Sequence, residues 1–261
     1  MDRLDANAVA LPGIEVRVIE RCTSTNTLLL GDKTADGILL AAEEQTAGRG
    51  RRGRRWQSAR GAGLTFSLAR AVRRPVRELA GLSLVAGVAV ARALRTLGVA
   101  RAALKWPNDI LVGSAKLGGI LVETRGAGET LRAVIGVGLN CRRDSSLVVR
   151  LGRQVAFLDE FMEVKSRNAI LEKIALALLE SLEVFESKGL EPLRREWEAM
   201  DAHAGQRMRV RLADGRVVTG ISAGLAEDGG LRLNTKRGVR AVRSGRVVSA
   251  RAAQAPRSRP A

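Results

Sequence analysis

Gly48-Arg49-Gly50-Arg51-Arg52-Gly53-Arg54-Arg55-Trp56 sets five arginines among three glycines, closed by an indole. Glycine lets the backbone come close to a ligand with its N–H groups exposed. Arginine supplies a planar fork that matches phosphate and carboxylate oxygens. The stretch therefore suits a loop that wraps a nucleotide's phosphates. It lacks the GxxxxGK[ST] pattern, and although Gly48, Gly50 and Gly53 satisfy the spacing of GxGxxG, they do not form a strand-to-helix turn. Gly37 to Ala42 reads as a buried strand ahead of it, and Leu64 to Leu68 as another behind. Strands thus bracket the loop. Taken alone, a solvated Arg/Gly loop or an RNA-binding arm has the same composition.

Working outward, Ile14 to Glu20 alternates like a strand, and Thr23-Ser24-Thr25-Asn26 offers helix-capping side chains before Leu28, Leu29 and Leu30. Beyond the loop, Pro75 to Leu97 carries a helical pattern ended by Gly98. Short strands are expected at Ala103 to Lys105, Ile110 to Val112, Gly119 to Glu123 and Ala133 to Val137. Helical spacing returns from Ser166 to Lys188, closed by Gly189, and from Pro192 to Met200. The expected class is α+β, a mixed sheet with helices. The texture then changes to short strands, at Met208 to Leu212, Arg216 to Ser222, Gly230 to Leu233 and Gly238 to Val242, with turns at Asp214-Gly215 and Asp228-Gly229-Gly230. These predict a small β-barrel. The boundaries expected are 1–203 for the larger domain, 204–250 for the β-domain, and a disordered tail at 251–261, where two prolines interrupt a stretch without apolar period.

Composition narrows the function classes. A 261-residue chain that is 46% hydrophobic can bury a real core. Asp2, Asp5 and Glu15 break any signal-peptide reading. The most apolar run, Leu79 to Val90, is about half of the roughly 20 residues that cross a bilayer, so a cytoplasmic protein without membrane partners is expected. Two cysteines, Cys22 and Cys141, and one histidine, His203, argue against a disulfide framework, a zinc site or a Ser/His nucleophile pair; His203 reads as a solvated surface residue. The net charge of +17 would ordinarily point to nucleic acid. The arginines are scattered along the chain, however, and only seven of the 44 basic residues are lysines.

Three further segments carry polar groups in stiff settings. Lys105-Trp106-Pro107-Asn108-Asp109 holds a lysine, an amide and a carboxylate in one turn at a strand end. Lys116-Leu117-Gly118-Gly119 sets a lysine just ahead of a strand, exposed enough to be dispensable for folding, where its cation could reach an acyl or phosphoryl oxygen. Gly136-Val137-Gly138-Leu139-Asn140 ends a strand in glycines and an amide. Each has a bland counterpart: a polar turn, a hairpin lysine, a glycine-rich strand end.

Together with Ser24-Thr25-Asn26 and Gln45, these segments resemble the biotin-protein ligase family in type, order and approximate spacing. The pieces are TSTN, EEQTAGRGRRGRRW, KWPNDI, KLGGILVE and GVGLN, spanning about residues 14 to 141. The resemblance implies the family's mixed-sheet catalytic domain with a C-terminal SH3-like β-barrel. It implies a two-step reaction, in which biotin's carboxylate attacks the α-phosphate of ATP and an acceptor lysine then attacks the resulting mixed anhydride. By the same carry-over Ser24, Thr25, Asn26 and Gln45 would hold biotin's ureido ring and nearby atoms, with Arg49, Gly50 and Arg51 closing over biotin and adenylate and Gly119 beside them. Lys116 would be the main catalytic residue, supported by Arg51 and by Asp109, which would orient it or accept a proton. Arg51, Arg54, Trp56, Asn108, Lys116 and Asn140 would form the nucleotide side, Asn140 at the adenine edge. Magnesium is implied by ATP, with no carboxylate cluster naming its ligands. The implied partner is a biotin carboxyl carrier domain; a homodimer stays open. With about 20 residues ahead of Thr23, the resemblance is to the monofunctional class, without a winged-helix domain or specific DNA binding. Lipoate-protein ligases share the fold and are the nearest alternative. A basic nucleic-acid-binding module is the alternative from another class.

Overall fold

The computed structural model describes residues 2–126, 131–152 and 154–252. Its larger sheet contains β1 (Glu15–Cys22), β2 (Ile38–Gln45), β3 (Gly63–Val72), β4 (Ala102–Lys105), β5 (Asp109–Val112), β6 (Ala115–Arg125) and β7 (Leu131–Asn140). These lie in the order β1-β2-β3-β7-β6-β5-β4. Only β1 and β2 run parallel; every other neighbouring pair is antiparallel, so the sheet is mixed as expected. The β1–β2 connection is helix α1 (Thr25–Gly31), which puts the capping tetrad at a strand-to-helix turn over the sheet.

One face of the sheet is covered by α2 (Leu82–Thr96), which buries eleven of its fifteen residues, and by α4 (Arg167–Lys188) and α5 (Glu191–Ala199) packed against α2. The Pro75–Leu97 stretch opens with a 3₁₀ turn at Val76–Gly81 and becomes α-helical only at Leu82. Among the described residues this segment, Val76–Thr96, is long and apolar enough to cross a membrane, because Ala91, Ala93 and Leu94 extend the run that stops at Val90 on simple counting. It is largely buried as a core helix. A further short helix, α3 (Ser145–Leu151), was not read from the sequence. It is capped by the Asp144 carboxylate, which accepts from the Ser146 and Leu147 amides at 2.9 and 3.2 Å, and it ends on left-handed Gly152.

The second sheet comprises β8 (Arg207–Arg211), β9 (Val217–Leu225), β10 (Leu231–Thr235), β11 (Gly238–Val242) and β12 (Arg246–Arg251), ordered β11-β10-β9-β8-β12 and antiparallel throughout. Four of these strands match expectation; β12 does not, and Arg251 closes a strand rather than opening a tail. A register shift between Val247 and Ser249 breaks its alternation, which removes the period-two signal. The rest of the tail lies outside the described residues. The sheet's inner face joins the main core: Met208, Val210, Leu225 and Leu231 are buried in it, and the Trp106 indole donates to the Gly229 carbonyl at 3.2 Å.

The segment before β1 is fastened to the sheet by ion pairs. Arg167, wholly buried, donates to both Glu43 carboxylate oxygens at 2.9 Å and to the carbonyls of Asp2 at 2.5 Å and Gly63 at 3.1 Å. The Leu4 amide donates to Glu43 at 2.6 Å, and Leu4, Val9 and Leu11 are buried behind it. Burial pushes the Glu43 carboxyl upward, but Arg167 and the Leu4 amide bring it net below the usual range.

Candidate active site

Register across the centre of the larger sheet builds a floor with glycines at its middle. In one row Ser67 on β3 faces Gly136 on β7, which faces Leu121 on β6; in the next, Thr65 faces Gly138, which faces Gly119. A Cβ on Gly136 would lie about 3.0 Å from Asn26 Cγ, and one on Gly138 would lie 2.7 Å from Trp56 Cζ2 and 2.8 Å from its Nε1. The bare backbone at these two positions therefore lets Asn26 and Trp56 rest directly on the sheet.

At one end of this floor the polar groups are neutral and joined. Ser67 Oγ donates to Asn26 Oδ1 at 2.6 Å, so its partner Thr25 Oγ1, at 2.7 Å, must be the donor of that pair. Gln45 Oε1 then accepts from the Thr25 amide at 2.8 Å. Asn26 Nδ2 donates to the Leu121 carbonyl at 3.2 Å and to Glu123 at 3.0 Å, which fixes the amide's orientation because both partners are acceptors. Ser24 is the N-cap of α1, yet its hydroxyl makes no capping bond and lines the cavity instead.

At the other end the groups are cationic. The β5–β6 hairpin pairs Asp109 with Gly119, and a register shift after Ile110 sets Lys116 opposite Leu111. Lys116 Nζ donates to Asp109 Oδ1, and Lys105 Nζ stands 3.7 Å from Asp109 Oδ2. The Lys116 and Asp109 side chains are only 16% and 17% exposed, so Lys116 is not the open hairpin lysine expected from its setting. Burial pushes the Asp109 carboxyl upward, but Lys116, Lys105 and Arg54 together hold it below the ordinary range. Asp109 is thus favoured in its ionised form and accepts the hydrogen bond from Lys116. Lys116 also lies 5.9 Å from the centre of the Trp56 ring.

The arginine loop folds over this end as a tight turn. The Gly50 amide donates to the Arg54 carbonyl at 2.7 Å, the Trp56 amide to the Gly48 carbonyl at 2.9 Å, and Arg52 sits in left-handed conformation at φ 57°. Arg49 is tied to Glu123 at 2.9 Å, so the carboxylate that holds Asn26 also holds the loop. Burial and the charges of Arg52 and Arg54 lower the Arg51 pKa. Charge crowded in this way favours an incoming anion.

The cavity between the two ends is lined by Ser24, Thr25, Asn26, Gln45, Arg49, Gly50, Arg51, Arg54, Trp56, Asn108, Asp109, Lys116 and Gly119, all residues expected at the site. Asn108 donates its amide to the Ile120 carbonyl at 2.6 Å and stiffens the turn that carries Asp109. Asn140 is the exception. It does not line the cavity, and its Nδ2 donates to the Lys116 and Ala156 carbonyls at 3.2 Å each, so the amide steadies the strand bearing Lys116. Phe66, Ser67 and Glu123 were not read as site residues. Ser67 carried the one available signal, a hydroxyl inside an apolar strand. His203 is also displaced from expectation: it is half-buried outside the cavity, its Nδ1 has no hydrogen-bond partner among the described residues, and burial and Lys105 lower its pKa.

Comparison with known proteins matches residues 18–140 to the Biotin/lipoate A/B protein ligase family and residues 203–248 to the Biotin protein ligase C terminal domain. The Biotin--[acetyl-CoA-carboxylase] ligase of Mycobacterium tuberculosis is 35% identical over 248 residues, which is 91% of this chain and 90% of that protein. The chain belongs to the biotin protein ligase family. The Bifunctional ligase/repressor BirA of Escherichia coli is 37% identical, over 85% of this chain and 70% of its own length. Among solved structures, the biotin protein ligase of Aquifex aeolicus in complex with biotin and ATP superposes with a TM-score of 0.78 at 28% identity, covering 91% of this chain and 99% of that one. In biotin protein ligase terms, the two sheets are the catalytic fold and the C-terminal domain of the family.

Proposed function

We propose that the chain activates biotin with ATP to biotinyl-5′-AMP and transfers the biotinyl group to a lysine of a biotin carboxyl carrier domain. The observation that carries this reading is the polarity of one cavity: a neutral chain of hydrogen bonds at one end, a cationic pair and an arginine loop at the other. A ureido ring needs donors and acceptors without charge, which Gln45, Thr25, Ser67 and Asn26 supply. A carboxylate attacking a polyphosphate needs neutralisation and positioning more than a protein nucleophile.

In the first half-reaction a biotin carboxylate oxygen bonds to the α-phosphorus and pyrophosphate departs. Lys116, held by Asp109, faces the oxygens where charge accumulates. Arg51 and Arg54 bind the phosphates, Trp56 flanks the base, and Arg49 with Gly50 closes the loop over the product. In the second half-reaction the acceptor's amine attacks the anhydride carbonyl, AMP leaves with the bonding pair, and the amine sheds a proton. Lys116 again stabilises the oxygens.

Among the described residues no group of three or more His, Cys, Asp or Glu side chains could hold a metal. Asp109 and Glu123 are already engaged by cations. Magnesium is therefore read as part of the ATP substrate, held by phosphates and water. We assign the catalytic unit to 1–203 and the β-domain to 204–251, which includes the whole of β12. The test is incubation of the protein with biotin, MgATP and a purified carrier domain, followed by intact mass measurement. A shift of one biotinyl group on the carrier, absent when biotin is replaced by lipoate, supports the reading; an unmodified carrier overturns it.

A further inference from the structure

The second sheet carries charge that the ligase reaction leaves unused. Between residues 204 and 252 there are eleven basic residues and three acidic ones, Asp214, Glu227 and Asp228. On β8 the pattern Arg-Met-Arg-Val-Arg buries Met208 and Val210 and exposes Arg207, Arg209 and Arg211. The neighbouring β12 sets Arg246 opposite Arg211 and Arg251 opposite Arg207, both exposed. Residues directly opposite in an antiparallel pair share a face, so five guanidinium groups stand on one side of two adjacent strands. None has an acidic partner or a side-chain hydrogen bond among the described residues, whereas the sheet's other ion pairs, Arg216 with Asp214 and Arg243 with Asp228, lie at its turns. Like charges in direct opposition destabilise a sheet. A ligand that brings negative charge relieves the arrangement.

From this face we infer a second binding surface, for the phosphodiester backbone of duplex nucleic acid. Residues two apart on a strand rise about 6.8 Å, close to the through-space separation of successive phosphates on one strand of a duplex, which wind around it while rising roughly 3.4 Å each along its axis. The strands β8 to β12 contain no aromatic residue, which removes base stacking and with it a preference for single strands, and contacts made to phosphates alone carry no sequence information. A protein partner fits less well, because interface cores exclude charge and the exposed apolar groups of the sheet, Val217 and Ile221 at 38%, Val248 at 42% and Val239 at 60%, stand among arginines, Val217 opposite Arg211 and Ile221 opposite Arg207. The opposite face of the sheet is buried against the core, and none of the five arginines lines the active-site cavity. The two binding events are therefore separate.

The test titrates the full-length protein, with the active site saturated by biotin and a non-hydrolysable ATP analogue, into fluorescent DNA duplexes of two unrelated sequences, reading anisotropy at roughly 50 to 200 mM salt. Expected are equal affinities for the two sequences and a log K against log salt slope near −4.5, from five contacts at about 0.9 each. Arg207→Ser/Arg209→Ser/Arg211→Ser should make the slope shallower by about 2.7, and Arg246→Ser/Arg251→Ser by about 1.8, with carrier biotinylation unchanged in both. A control at exposed positions elsewhere, Arg77→Ser/Arg101→Ser/Arg195→Ser, should alter neither. The inference fails if the wild-type protein does not bind at the lowest salt, if the β8 variant binds like wild type, or if the control loses as much. It fails equally if the β8 variant keeps its duplex affinity and loses the carrier domain, which would make the face a protein dock.

Discussion

Removing Lys116 separates catalysis from folding, because its partner can be neutralised independently. Lys116→Ala deletes the cation that faces the reacting oxygens, and loss of one such electrostatic donor costs about 3 kcal/mol of transition-state stabilisation, roughly two orders of magnitude in kcat. The same change strands Asp109, whose side chain is 17% exposed and keeps only Lys105 at 3.7 Å as a close cation. A buried ion pair broken outright costs about 3–5 kcal/mol; with Lys105 and some solvent remaining, about 2 kcal/mol is expected. Because the Asp109 pKa is lowered in the folded state, this stabilisation is present above the ordinary carboxylate pKa and is lost as pH falls through the lowered value. The stability gap between wild type and Lys116→Ala should therefore close in acid. Adding Asp109→Asn removes the stranded charge, so the double variant should recover stability in urea melts at pH 7.5 and remain deficient in AMP production. Near-wild-type turnover by folded Lys116→Ala would refute the catalytic role. Recovery of both stability and turnover in the double variant would show that Lys116 acts only by satisfying Asp109.

Three other outcomes follow from named contacts. Arg167→Ala leaves Glu43 buried without its bidentate partner and should cost about 3–5 kcal/mol in chemical denaturation; a loss under 1 kcal/mol would mean that water or Arg142 takes over. Asp201 accepts from the His203 amide at 2.9 Å, and burial pushes its carboxyl up to about 6, so its ionisation opposes folding as pH rises through that value. From the ordinary 3.8 this amounts to about 3 kcal/mol, and Asp201→Asn should raise Tm more at pH 8 than at pH 4.5; an equal effect at both would refute the assignment. Gly138→Ala drives a methyl group into the Trp56 ring, so the KM for ATP should rise about tenfold or more, while an unchanged KM would place the nucleotide away from Trp56.

Most residues that line the cavity were legible in the sequence because they come in local runs. Arginine loop, proline turn and glycine-flanked lysine are each continuous stretches, and the hairpin of β5 and β6 brings the last two together over a few residues. What escaped depends on distant pairing. Glu123 looks like the end of an apolar strand, yet it joins Asn26, 97 residues away, to Arg49. Asn140 looks like a donor at a strand end, but its hydrogens go to two backbone carbonyls that only the fold supplies. Residues 2–11 carry no strong periodicity; their place is set by Arg167, 165 residues from Asp2. In the second sheet the bulge hid β12 and with it the opposition of Arg246 and Arg251 to β8, so charge that looks scattered along the chain is gathered on one face.

The central claim, that one cavity joins biotin's carboxylate to the α-phosphate of ATP without a protein nucleophile, is tested most directly by isotope exchange between pyrophosphate and ATP with no acceptor present. Exchange should require biotin and magnesium, proceed without the carrier domain, and fall by roughly two orders of magnitude in Lys116→Ala. Exchange that is independent of biotin, or undiminished by Lys116→Ala, would contradict it.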